Sequence, residues 1–363
     1  MPKVILISQF PLPYQNIGSW TTLYKNYFQR NHLIDIIVCE QPSELFKNVQ
    51  YSIVKNSFRD RIEIKLTKNK YLSYLKALDK VVKPNQKYII QIIDNHGIVE
   101  PLNDFLEKKG IRKNCYIQFF YHGFPPFHEN FAGRKFYEIV DEMIVLTISS
   151  YWAHKQYYTI LPCKFSVLNN GIDTNVFFSL MEEDKLELKK EFNIADKITF
   201  VWCSQDRPKK GLHLLLDAWK RVYATNTNIE LWVIGCEAKE EMEGVQYLGR
   251  IPNDELALFL QASDVFLFPV LNQEGFGMSL IEALHCGNYA IASGIGGVSE
   301  VMAFGVFGTL IPDPHFVNSW VKAIEKYIND RPKAFDLDDE IYSTNRWVSQ
   351  MNHLIMEAKI SLL

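Results

Sequence analysis

The sequence has 363 residues, more than one average domain holds, and that length points to about two domains. Hydrophobic residues make up 47% and charged residues 22%, as in an ordinary globular chain, and a net charge of −3 leaves no basic field that would call for nucleic acid. The cysteines Cys39, Cys115, Cys163, Cys203, Cys236 and Cys286 form no C-x-x-C pair and no zinc-spaced set with histidine, which excludes the common zinc and disulfide frameworks.

The chain opens with a short apolar, β-branched run over residues 3–8, read as a buried strand. It is too short for the core of a signal peptide, and no later stretch is long and apolar enough to span a membrane. With free thiols, this points to a reducing cytoplasm. A loop, a helix over 21–30 and a second strand over 34–39 follow. That pitch predicts a parallel sheet with crossover helices. Further strands are expected at 88–93, 116–121, 142–147 and 164–168. Asn169-Asn170-Gly171 is turn chemistry, and a charged helix at 181–192 precedes a second alternation. Strands are expected at 199–203, 230–234, 265–270 and 289–292, with a short apolar segment at 245–248. Helices are expected at 211–223, near 253–262 and from Ser279. A polar stretch at 335–340 leads to a last helix over 342–363. The pattern describes two Rossmann-like halves, whose ligands would bind at the carboxyl ends of the strands and in the cleft between the halves if they face each other.

The segment richest in chemistry is Phe268-Pro-Val-Leu-Asn-Gln-Glu274-Gly-Phe-Gly-Met-Ser-Leu-Ile-Glu282. Gly275 and Gly277 let the backbone approach a ligand, and a helix start presents free N–H groups suited to phosphate. Glu274 lies in the loop and Glu282 in the first helical turn. The same residues also fit a bland structure: Ser279-x-x-Glu282 is a capping box, and Glu274 alone would be an exposed loop acid.

This string resembles the E-x7-E signature of glycosyltransferase family four, a retaining family of GT-B fold. The likeness continues in Val167-Leu-Asn-Asn-Gly171-Ile-Asp173, in Lys210-Gly211-Leu-His-Leu-Leu-Leu, in Tyr247-Leu-Gly249-Arg250 and in Ser293-Gly-Ile-Gly296-Gly297-Val-Ser-Glu300. It is specific over about 165–305 and thin over 1–160. It implies two Rossmann-like domains facing across a cleft. Residues 1–172 would bind the acceptor, residues 173–341 would bind a nucleotide sugar, and the helix 342–363 would cross back to the first domain.

By the same resemblance, Glu282 would hold the ribose and Glu274 the donor sugar, with the backbone of Gly275, Phe276, Gly277 and Met278 against sugar and diphosphate. Arg207 and Lys210 would neutralise the leaving diphosphate. His122 would lie beside the donor sugar and Gly18 near the phosphates; His96, at a strand end facing the cleft, is by its position a candidate for acceptor contact. His122 also fits a structural histidine. Two positions depart from the family: Gln205 stands where an arginine is usual, so Arg207 lies three residues before Lys210, and Tyr289 stands where a proline is common.

The implied activity is retaining transfer of a hexose or N-acetylhexosamine from a UDP- or GDP-sugar to an acceptor hydroxyl on a glycan or lipid-linked saccharide. No metal or other cofactor is expected; the one D-x-D, Asp336-Leu-Asp338, reads as solvated surface. The basic run from Arg61 to Lys87, with Tyr71, Leu72, Tyr74 and Leu75 interleaved, reads either as a solvated face or as a helix lying on the inner face of an anionic membrane. An epimerase or phosphorylase of the same fold and a non-catalytic nucleotide-sugar-binding partner stay open beside the transferase.

Overall fold

The computed structural model describes residues 1–14, 19–55, 57–124, 126, 133–158, 160–238 and 241–363. They form two units, Met1–Asn170 with Thr344–Leu363, and Gly171–Ser343. Each is built on one parallel sheet.

The first unit contains β1 (Lys3–Ile7), β2 (Ile36–Cys39), β3 (Gln50–Ile53), β4 (Tyr88–Ile93), β5 (Cys115–Tyr121), β6 (Glu142–Val145) and β7 (Lys164–Val167). Their order is β3-β2-β1-β4-β5-β6-β7. The second unit contains β8 (Ile198–Cys203), β9 (Ile229–Ile234), β10 (Val245–Gly249), β11 (Val265–Phe268), β12 (Tyr289–Ser293) and β13 (Gly308–Ile311), in the order β10-β9-β8-β11-β12-β13. The order reverses between β1 and β4 in the first sheet and between β8 and β11 in the second. Loops leaving these strands diverge there and open a crevice at their carboxyl ends.

The central strands are mostly apolar because helices cover both faces of the sheet. YIIQII of β4 is buried along its whole length. Two strands, β3 and β13, lie outside the sequence expectation. Both are edge strands, QYSI and GTLI, that are only half covered and lack a continuous apolar run.

The last helix, Thr344–Ser361, packs on the first sheet, where Trp347 meets Tyr24 and Tyr27 edge-on, each at 5.6 Å between ring centroids. Beneath it runs a polar row at one register, Gln91–Gln118–Glu142–Lys164. Gln118 Nε2 donates to Glu142 Oε2 at 2.8 Å and to the Leu354 carbonyl at 3.3 Å, and Lys164 reaches Glu357 at 2.7 Å. Glu142 is fully buried, and these partners with Lys164 at 3.1 Å offset the cost of burying its carboxyl group.

The basic run is not one helix. It breaks into Phe58–Thr67 and Leu72–Asp79 at Lys68, which takes a left-handed φ of 53°. Leu75 is buried, while Tyr71 and Tyr74 pack against the core of the first unit. The apolar residues left exposed are instead Phe58, Ile62 and Leu66, spaced to share one face of the first helix. Among the described residues, no helix is long and apolar enough to cross a membrane.

Candidate active site

In the second unit the site is built where the sheet order reverses. The loop after β8 carries Arg207 and Lys210; the loop after β11 carries Glu274, and both strands are central neighbours. Glycine holds the two loops together. Gly211 has φ +70°, and a Cβ on it would lie 1.8 Å from the Pro269 carbonyl oxygen. The Leu271 N–H donates to the Lys209 carbonyl at 2.8 Å. Lys210 Nζ therefore reaches Glu274 Oε2 at 2.7 Å across 64 residues of sequence, with both side chains partly exposed. Lys210 Nζ also lies 5.8 Å from the centroid of the Phe268 ring.

A third loop fixes Glu274 from behind. The Gly297 N–H donates to the Glu274 carbonyl at 2.8 Å, and a Cβ on Gly296 would stand 2.6 Å from that oxygen. The segment after β12 thus sets the backbone of the acid.

The helix after Glu274 is Met278–His285, with Gly277 at φ 93° before it and no side-chain cap. This corrects the capping-box reading. Helix entry is set by Gly277 and by Phe276, whose buried ring packs edge-on against Tyr342 at 5.2 Å. Ser279 is the second helical residue, and Glu282 falls in the second turn rather than the first. Its carboxylate then has no capping duty. Among the described residues it has no hydrogen bond or ion pair, and burial lifts its pKa from 4.5 to about 7. Cys203, at the end of β8, is pushed up to about 12 by burial and by the nearby Glu282 charge. The backbone of Gly275 to Gly277 is buried beside it. The first N–H groups of the helix have no partner within it. Arg207 is exposed and makes no ion pair among the described residues.

In the first unit, β4 and β5 deliver a second constellation. His122 follows β5, and its Nδ1 lies 3.0 Å from Asp94 Oδ2, while its backbone N–H donates to Asp94 Oδ1 at 2.8 Å. Asp94 follows β4 in a left-handed conformation, φ 52°, which turns its carboxylate toward β5. A carboxylate at Nδ1 selects the tautomer with the proton on Nδ1 and leaves Nε2 for a ligand. Trp20 stacks on the imidazole, with centroids 6.5 Å apart. Asp94 is a further candidate residue that the sequence alone does not single out, in contrast to His96 two residues on. The available signal was an acid at the carboxyl end of a switch-point strand. His96 itself is exposed on the short turn His96–Ile98. Gly18 lies outside the described residues, as does most of the aromatic loop at 124–131.

Residues 184–344 match the family model described as glycosyl transferases group 1. The matched segment is similar to that family's domain, and it contains Lys210, Glu274 and Glu282. The chain is 27% identical over 183 residues to the GDP-mannose-dependent monoacylated alpha-(1-6)-phosphatidylinositol monomannoside mannosyltransferase of Corynebacterium glutamicum, covering 46% of this chain and 48% of that protein. It is 24% identical over 216 residues to the lipopolysaccharide 1,2-N-acetylglucosaminetransferase of Salmonella typhimurium, covering 54% of this chain and 56% of that protein. The chain thus spans about half the length of these curated relatives. In three dimensions it resembles the Anabaena protein Alr3699/HepE, solved in complex with UDP and glucose, with a TM-score of 0.71 at 16% identity over 98% of this chain and 100% of that one. The chain has the GT-B fold, and each of its two units is a Rossmann-like α/β unit.

Proposed function

We propose that the protein is a retaining glycosyltransferase that moves a hexosyl or N-acetylhexosaminyl group from a UDP- or GDP-sugar to a saccharide or lipid-linked acceptor. The observation that carries this reading is the Lys210–Glu274 pair at the β8/β11 switch point, with the unpartnered Glu282 on the helix that follows. A carboxylate accepts two hydrogen bonds at once, so Glu282 suits a ribose diol and Glu274 the hydroxyls of a sugar. The ion pair keeps Lys210 and Glu274 in place before substrate arrives. A diphosphate then draws Lys210 to itself and frees Glu274 for the sugar. Arg207 and Lys209 are exposed on the same loop and add positive charge where the leaving phosphate gains negative charge. These cations take the part a metal would play, so the reaction as proposed needs none.

The bond from the anomeric carbon to the phosphate oxygen breaks, and a bond to the acceptor oxygen forms on the same face. The leaving phosphate takes the acceptor proton. His122, held by Asp94, offers Nε2 to a sugar hydroxyl. UDP- and GDP-sugars should therefore be screened by release of UDP or GDP. Release from one donor should fall about a hundredfold or more in Glu274→Ala. Full activity in that variant, or no nucleotide-sugar binding by the wild type, would sink the assignment.

The proposed setting is the cytoplasmic face of a membrane. Phe58, Ile62 and Leu66 form an exposed apolar stripe on a helix that also carries Arg61 and Lys65. That combination suits an anionic lipid surface. Flotation with anionic vesicles, weakened by salt and lost in Phe58→Ser/Leu66→Ser, is the expected result; equal flotation of the double variant would exclude this helix.

A further inference from the structure

The first unit holds a cavity of about 640 Å3 that the site above does not use. Its walls come from the turn at 67–71, the helix Leu72–Asp79, and the helix Val99–Lys108 with Gly97 before it. Leu72, Leu75, Pro101 and Phe105 supply apolar lining, and Tyr71 joins them. The charges around it are unevenly matched. Lys76 is neutralised by Asp60 and Glu63, and Asp79 is paired with Lys109. Among the described residues Lys68, Lys70 and Lys108 have no ion pair, against the single acid Asp104. Three cations around a cavity with an apolar lining focus a positive potential into it. They fit a ligand with an anionic group on a carbon body, and lysine is a phosphate binder that acts as a point charge.

The cavity also leads back to the histidine. The Tyr71 hydroxyl donates to Asn95 Oδ1 at 3.0 Å, and a Cβ on Gly97 would stand 2.4 Å from that hydroxyl. Residues 94–97 form one loop. Its far end packs against the cavity tyrosine, and its first residue, Asp94, holds His122. A ligand in the cavity therefore touches the loop that orients the imidazole.

We propose that this cavity binds a phosphate ester, the charged end of the acceptor, an inference that rests on the transferase reading above. The phosphate could belong to a lipid headgroup or to a soluble sugar phosphate, and the chemistry of recognition is the same. The test is equilibrium binding to the full chain with no donor present, so that its outcome does not depend on turnover. The probes are glycerol 3-phosphate, a short-chain phosphatidic acid and, as control, glycerol. At least one phosphate ester should bind and glycerol should not. Binding of the lipid alone assigns the site to a headgroup, and binding of glycerol 3-phosphate at least as tight as the lipid's shows that a soluble ester suffices. Lys70→Ala/Lys108→Ala should weaken binding about tenfold or more, while Lys70→Arg/Lys108→Arg keeps it. Nucleotide-sugar binding and Tm should stay unchanged in both, which excludes misfolding. The imidazole NMR signals of His122, assigned with His122→Gln, should shift when the ester binds. Absence of ester binding, equal binding by the alanine variant, or binding that leaves His122 unmoved would overturn the proposal. Failure of the donor screen with these results intact would instead discard the transferase reading.

Discussion

Glu282 carries a conflict that the proposed ribose contact would resolve. It is a carboxyl group lifted to about 7 by burial, and it has no ion pair among the described residues. The fold therefore prefers its protonated form. The unfolded chain releases that proton near 4.5, so between about 4.5 and about 7 the folded state holds more protons than the unfolded one. Stability from this group is fully present below 4.5 and is lost as pH rises to about 7, after which it stays level. Glu282→Gln should then raise Tm over the wild type at pH above this window and make no difference below it. A shift of a few degrees is expected for a domain of this size. Donor binding should show the opposite trend. Only the ionised carboxylate accepts both ribose hydroxyls, and a nucleotide sugar has no phosphate that titrates in this window. Affinity should rise through the transition in wild type and stay flat in Glu282→Gln. Calorimetric titration at several pH values checks both halves, and a wild-type affinity that does not change with pH would remove Glu282 from the ribose.

At the scale of loops and strands, the site depends on two loops being pressed together. Gly211 permits this because its left-handed backbone and missing Cβ let the β8 loop touch the Pro269 carbonyl. Gly211→Ala should cost about 2–4 kcal/mol from backbone strain and overpacking. It should also part Lys210 from Glu274, so nucleotide-sugar binding should fall more than Tm implies. Unchanged binding in a destabilised variant would show that the ion pair forms without this contact. The sequence made β4, β8 and β11 legible because strands covered on both faces read as nearly continuous apolar runs. It concealed β3 and β13 because an edge strand needs only half that coverage. Glu274, Glu282 and Lys210 were visible through local strings. Their pairing was not, since nothing local joins positions 64 residues apart. The helix start was misplaced because Ser279-x-x-Glu282 satisfies a capping rule, whereas the entry is decided by Gly277 and the buried Phe276. Asp94 escaped because its role depends on a left-handed turn that spacing does not reveal.

At the scale of the whole chain, the last helix completes a unit that begins more than three hundred residues earlier. Trp347, Met351, Leu354 and Ile355 are buried in the same cluster as Val4, Leu6, Tyr24 and Tyr27. The helix also covers the polar row under it, where Gln118 bonds the Leu354 carbonyl and Lys164 divides its charge between Glu142 and Glu357. Removing 344–363 would expose an apolar face and take the Leu354 carbonyl from Gln118 and Glu357 from Lys164, so packing and polar partners are lost together. The second unit loses no core residue, because its cluster draws only on positions from 198 to 327 and their neighbours. A chain ending at Ser343 should therefore lose hydrogen-exchange protection in β1, β4, β5 and β6 and keep it in β8, β9 and β11. It should still bind a nucleotide sugar, since Lys210, Glu274 and Glu282 all lie in the second unit. It should not transfer the sugar, since His122 and Asp94 lie in the first. Retained protection across both sheets would mean that the helix only covers the first unit, while loss across both would mean that the second unit cannot fold without it.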